Sequence, residues 1–262
     1  MRHAPRPLDA AAADRRQAAL ARRWERLRDG VPSVLYLLAW AVGVTLVGVL
    51  VGLALAKLAS HQAIGRADAG AVRWLTAHRT RDWNTATHLA TDAAETITVA
   101  GLAVLTFAGA ALAWRRWREP MLVAAAVTGE VVIFLVITLL VDRPRPPVAP
   151  LDTAPPTSSF PSGHVAASIA LYGSWAVLAW QRVRSALLRG LFTLLAVLVP
   201  VVVGLARTYR GMHFPSDVLA GAVLGGSWLA VSVRAVRLGV LHHELRTSRA
   251  VARTRRALLR HG

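Results

Sequence analysis

The sequence contains no cysteine. Disulfide cross-links, thiol nucleophiles and Cys-ligated metals are therefore excluded. Lysine is nearly absent as well. Lys57 is the only one, so the 31 basic residues are almost all arginine, set against 14 acids. There is no internal repeat and no low-complexity run beyond an Ala/Arg bias. The first thirty residues lack a short apolar stretch followed by a small-residue cleavage site. No cleavable signal peptide is expected, and the first apolar block is expected to stay in the membrane.

What the chain has in abundance is apolar sequence. Of 262 residues 55% are hydrophobic, and the mean hydropathy is +0.44. A soluble domain of this length rarely carries so much. The apolar residues fall in blocks that reach the roughly 20 residues needed to cross a bilayer core. Six spans are expected, at Val34–Leu58, Thr96–Trp114, Met121–Val141, Val165–Trp180, Leu187–Leu205 and Ser216–Val236. The fold class is thus an all-α polytopic bundle. Gly and Pro inside these blocks, such as Pro200 and Gly225-Gly226, are compatible with membrane helices.

A net charge of +17 is a property shared with nucleic-acid binders. In a membrane chain it reads instead as arginine held in cytoplasmic loops and tails against anionic lipid, with no nucleic-acid partner. Arginine-rich segments occupy the N-terminal lead, the stretch Trp114–Arg118, the region of Arg182, Arg184 and Arg189, and the tail from Arg246 to Arg260. With six spans all four fall on one side, which the positive-inside rule makes the cytoplasm. Both termini are expected there. The expected organisation is a basic N-terminal segment over 1–30 with a surface helix across Ala10–Arg28, a membrane domain over 31–238, and a basic tail over 239–262. Residues 59–95 read as one or two short interfacial helices. The Ala and Arg usage resembles that of GC-rich bacterial genomes, so the expected location is a bacterial cytoplasmic membrane.

Three polar clusters stand at span boundaries on the opposite, extracytoplasmic side. They are Asp142-Arg143-Pro144-Arg145-Pro146, Phe160-Pro161-Ser162-Gly163-His164, and the run from Arg207 to Asp217 that contains Arg210 and His213. Arginine presents a planar fork of donors that fits phosphate. Ser162, Gly163 and His164 open a span, where free backbone N–H groups and a partial positive charge favour an anion. Gly163 admits close approach of a ligand to the backbone. Of the two histidines one can attack and the other can donate a proton. Asp217 lies one helical turn after His213 and can hold one of its ring N–H groups. Singly, each residue has a plainer reading: headgroup contacts for Arg143 and Arg145, an N-cap for Ser162, a dipole-complementing acid for Asp217. Their convergence on one face favours a phosphate site.

The clusters resemble the three-part signature of the type 2 phosphatidic acid phosphatase family, K-x6-R-P, P-S-G-H and S-R-x5-H-x3-D. The resemblance runs from Thr138 to Asp217 by motif, and the six-span layout extends it over most of the chain. It implies that His213 is the nucleophile, Asp217 its orienting partner and His164 the general acid. It further implies that Arg145 and Arg207 clamp the phosphate, with Ser162 and the Gly163 backbone completing the cradle. No metal or other cofactor is implied. Two positions depart from the signature: Thr138 stands where the family has lysine, and Ala206 where it has serine. Arg143 or Arg210 is expected to replace the missing lysine charge and so to bind substrate.

The function expected on this basis is a metal-independent lipid phosphatase working through a phosphohistidine on a lipid phosphate monoester or an isoprenyl diphosphate, the latter ranked slightly first. A phosphotransferase using the same phosphohistidine and a non-enzymatic lipid-binding protein are the alternatives. The expected partners are the lipid phosphate and membrane lipids; the sequence carries no sign of oligomeric state.

Overall fold

The computed structural model describes residues 33–57, 62–154 and 156–258. The helix expected across Ala10–Arg28 lies outside them. Among the described residues every regular element is an α-helix: α1 (Ser33–Lys57), α2 (Ala63–Ala77), α3 (Arg81–Asp92), α4 (Thr96–Trp114), α5 (Arg118–Leu140), α6 (Gly163–Arg182), α7 (Ala186–Tyr209) and α8 (Pro215–Leu258). The helices α1 and α4 to α8 coincide with the six expected spans, α8 running past its expected end. The helices α2 and α3 fill the segment read as short helices.

Two compact units are distinguished. One comprises residues 1–38 and 234–262, in which the described residues are the opening of α1 and the last part of α8. The other, residues 39–233, contains everything that follows.

Five stretches are long and apolar enough to cross a membrane: Ser33–Lys57, Arg81–Trp114, Arg118–Leu140, Ala186–Tyr209 and Pro215–Gly239. The chain is a membrane protein. Large apolar side chains such as Leu50, Val104, Leu139, Val197 and Val223 are exposed on these helices, a surface that lipid covers and water does not. The remaining expected span, the fourth (α6), is the least apolar because it is the most interior. It packs chiefly on α7 and α5, and Ser168, Tyr172 and Ser174 are buried along it. A helix covered by protein does not need a lipid-compatible surface.

Small residues bring the helices close. A Cβ on Gly225 of α8 would stand 2.6 Å from the Ala166 carbonyl oxygen, so only glycine permits this approach to α6. On α1, Gly48 and Gly52 lie one turn apart. They admit the side chains of Ile137 and Phe160 respectively, the second placing α1 against the loop before α6. Polar side chains lock other contacts. Trp175 Nε1 donates to Thr106 Oγ1 at 2.8 Å, Tyr172 Oη to the Ala93 carbonyl at 2.8 Å, and Trp228 Nε1 to the Ala125 carbonyl at 2.9 Å. Each satisfies a donor that hydrocarbon would leave unpaired.

Candidate active site

The antiparallel course of the helices brings the C-terminal ends of α5 and α7 together with the N-terminal ends of α4, α6 and α8. Every expected site residue lies at one of these ends or in the loops joining them. Helix α7 stops at Arg210, and Gly211 follows with φ +75°. That left-handed conformation suits glycine and turns the chain towards His213. Helix α8 starts with Pro215 in its first turn, and Asp217 Oδ2 accepts the Phe214 N–H at 2.9 Å. The carboxylate thus caps the helix that follows His213.

A cavity of about 720 Å³ opens at this end of the bundle. Its wall includes Arg145, Gly163, His164, Arg207 and His213. These five come from three motifs dispersed over 69 positions of the sequence, and the fold places them on one surface. Gly163 sits against Phe134, whose ring a Cβ would meet at 2.9 Å, so glycine is required for the packing of α5 on the start of α6.

His213 is buried, and its Nδ1–H donates to the Ser159 carbonyl at 2.7 Å. A carbonyl can only accept, so the proton is on Nδ1 and Nε2 is the ring's basic nitrogen. Asp217 stands 4.0 Å from the same Nδ1. The partner expected to hold the ring is therefore at ion-pair distance, and the hydrogen bond goes to a backbone group of the preceding loop. Burial, with the charges of Arg207 and Arg145 next, pushes His213 well below the ordinary histidine value of 6.5. The free ring is neutral near pH 7. His164 Nε2 pairs with Glu95 Oε2 at 3.1 Å across the mouth of α4.

The two expected clamp arginines each retain an unused donor. Arg145 Nη1 donates to the Met212 carbonyl at 2.9 Å, and Arg207 Nη1 to Asp152 Oδ2 at 3.0 Å. The Nε–H of both is buried without a hydrogen-bond partner, as is Ser162 Oγ. Buried donors in native proteins are nearly always satisfied, so the two arginine orphans, both on residues of the cavity wall, mark an acceptor site. Ser162 Oγ is fully buried, and its residue stands behind the cavity wall that Gly163 and His164 form.

Arg143 and Arg210 are placed differently from expectation. Neither lines the cavity. Arg143 is buried between two carboxylates: it pairs with Asp68 at 2.8 Å and with Asp217, and it stacks on Phe214 at 4.7 Å. Arg210 forks onto Asp152 and donates to the Asn84 carbonyl at 3.0 Å. Both charges are matched within the protein, so neither is free to stand in for the missing lysine. Thr138 is buried with its hydroxyl unpartnered, and it too is absent from the cavity wall.

Residues 119–239 match the family model of the PAP2 superfamily. Over that stretch the chain is similar to the superfamily. The match runs from the start of α5 to Gly239 within α8 and includes all three motifs, and it leaves α1 to α4 and the last part of α8 outside. Among solved structures, the PAP2-type phosphatidylglycerolphosphate phosphatase from Bacillus subtilis superposes with a TM-score of 0.61 at 23% identity, over 75% of this chain and 94% of that one. LpxE of Aquifex aeolicus superposes with a TM-score of 0.51 at 19% identity, over 64% of this chain and 94% of that one. These likenesses establish a transmembrane PAP2 fold. Among curated proteins no relative matches the chain.

Sequence spacing missed the residues that hold the PAP2 motifs in place. Asp152 bridges Arg207 and Arg210. Burial pushes its carboxyl up, but the Arg210 hydrogen bond and the charges of Arg207 and Arg210 outweigh this and leave it below the ordinary value. Asp68 on α2 accepts the Ser216 backbone N–H at 3.0 Å and also pairs with Arg143, tying α2 to the start of α8. Glu95 precedes α4 and meets His164. Each is a single acid far in sequence from its partner, and no periodicity announces it.

Proposed function

We propose that this protein is a lipid phosphatase that transfers the phosphoryl group of a membrane lipid to His213 and then to water. The observation that carries the reading is the cavity shared by His213, His164, Arg145 and Arg207, with orphaned donors on both arginines. His213 Nε2 attacks phosphorus as the bond to the lipid oxygen breaks. Arg145 and Arg207 neutralise charge on the equatorial oxygens, where stabilisation is worth most. His164 gives its proton to the departing alkoxide, and the lipid leaves as an alcohol. A water molecule then attacks the phosphohistidine, His164 takes its proton back, and inorganic phosphate leaves. Attack at Nε2 is supported by the Ser159 carbonyl, which occupies Nδ1. The apolar half of the cavity wall, with Val99, Val131 and Leu135, suits a lipid chain.

The test is release of inorganic phosphate by the purified protein from a panel of lipid phosphates in detergent micelles. Turnover of at least one lipid phosphate, inhibited by vanadate as a mimic of the trigonal bipyramidal state, is the expected result. No release from any member of the panel would overturn the proposal.

A further inference from the structure

The phosphate-side chemistry leaves one polar group of the cavity unused. Glu130 lies in the middle of α5, is 1% exposed, and lines the cavity. Its Oε1 is buried without a hydrogen-bond partner. An ionisable side chain at this depth is expensive, and where it occurs it usually serves a ligand or a partner helix. The other acid of α5, Glu119, pairs with Arg182. Among the described residues no ion pair forms at Glu130.

Its position along the helix fixes what it can reach. Val127, Glu130, Val131, Phe134 and Leu135 all line the cavity and form one face of α5. Phe134 abuts Gly163, level with the start of α6 and beside His164. Glu130 is one turn deeper, about 6 Å along the axis at 1.5 Å per residue. A lipid whose phosphate rests against Arg145, Arg207 and His213 passes Glu130 with the first few atoms beyond its phosphate, before the hydrocarbon. Except for the carboxyl, this face of α5 is apolar.

We propose that Glu130 is a specificity-determining residue whose carboxylic acid O–H donates a hydrogen bond to an ester carbonyl of a glycerol-type lipid phosphate. The inference rests on the phosphatase reading and narrows its substrate class. A diacylglycerol phosphate carries oxygens at this depth. An isoprenyl monophosphate carries only hydrocarbon there and leaves the carboxyl unpaired. A site built to hydrogen-bond a substrate discriminates sharply against analogues that lack the group.

The experiment measures kcat/KM for phosphate release by the purified full chain, Glu130→Gln and Glu130→Leu, on dioleoyl phosphatidic acid and on farnesyl phosphate in the same micelles. The wild type is expected to favour phosphatidic acid. Glu130→Leu should lose about tenfold or more on phosphatidic acid while keeping or gaining on farnesyl phosphate. Glu130→Gln, which retains hydrogen-bonding capacity, should keep most of the phosphatidic acid activity. Equal factors on both lipids in both variants would overturn the linker contact and leave the phosphatase reading intact. A wild-type kcat/KM for farnesyl phosphate that matches or exceeds that for phosphatidic acid would also overturn it, without recourse to any variant. Wild-type inactivity on both lipids and on the wider panel would overturn the phosphatase reading and this inference with it.

Discussion

The Nδ1–H of His213 donates to the backbone carbonyl of Ser159 at 2.7 Å, while Asp217 stands 4.0 Å from that nitrogen. Two jobs expected of one carboxylate are thus divided. The loop before α6 sets the imidazole tautomer. Asp217 caps α8, pairs with Arg143 and, through its carbonyl, accepts the Ser162 N–H at 3.0 Å. It organises the motifs around His213 more than it touches the ring.

Asp217→Asn should therefore act first on stability. The amide can still accept the Phe214 N–H but loses its charge, leaving Arg143 with Asp68 alone. Removing one member of a buried pair costs about 3–5 kcal/mol, and the retained Asp68 puts the expected loss at the lower end. A reduced Tm in detergent is expected, with phosphohistidine still trappable below that temperature. A variant with wild-type Tm that forms no phosphohistidine would show that Asp217 governs the ring directly.

The buried pairing of Arg143 changes what to expect at Thr138. Were Arg143 a substitute for the family lysine, Thr138→Lys would rescue Arg143→Ala. Since Arg143 is matched by Asp68 and Asp217 and does not line the cavity, Arg143→Ala should lower Tm and strand two buried carboxylates. Thr138→Lys should not restore kcat/KM in that background, whereas Asp68→Asn, which removes one stranded charge, should recover part of the Tm. Full kinetic rescue by lysine would return Arg143 to the phosphate.

Catalysis should rest on the two histidines unequally. His213→Ala removes the nucleophile and should abolish both turnover and the phosphoenzyme. His164→Ala removes general-acid help, typically worth about 10²–10⁴-fold, and should cost less with p-nitrophenyl phosphate, whose leaving group needs little protonation. Near-normal phosphate release by His213→Ala would end the phosphohistidine mechanism.

What was legible in the sequence is what has local periodicity or a contiguous motif. The apolar blocks gave the membrane helices to within a few residues, except that α8 continues beyond its expected end. The motif residues Arg145, His164, Arg207 and His213 do meet at one cavity. Illegible were the supports. Ser159 acts through a carbonyl that every residue possesses, and Asp68 reaches Ser216 across 148 positions. The misplacement of Arg143 and Arg210 has the same origin: a string of arginines shows where charge is, while the carboxylates that absorb it are elsewhere in the chain.

The acid limb of the pH profile should lie below the ordinary histidine value of 6.5, because burial and the charges of Arg207 and Arg145 hold His213 down. The direction follows from the nucleophile: neutral His213 is active, and falling pH inactivates it only on passing its lowered pKa. For kcat/KM that limb reports the free enzyme. Arg145→Gln removes one opposing charge, so the limb should move to higher pH even as overall activity falls. A limb that stays in place would show that the Arg145 charge does not act on His213.

The distribution of arginines decides which end of the bundle faces the cell exterior. Ala154 lies in the loop between α5 and α6, at the end that holds the cavity; Ser185 lies between α6 and α7, beyond the far end of α6. The 20 residues of α6 separate the two levels by about 30 Å at 1.5 Å per residue, close to the thickness of a bilayer core. Arginines 182, 184 and 189 cluster at the Ser185 end, and positive loops stay in the cytoplasm. Both positions are exposed, and the chain has no cysteine of its own. Single Ala154→Cys and Ser185→Cys variants therefore report cleanly. An impermeant thiol reagent on intact cells should label the first and spare the second until the membrane is permeabilised. Labelling of Ser185→Cys alone in intact cells would place the cavity in the cytoplasmic leaflet. The substrate would then be a lipid phosphate presented from inside.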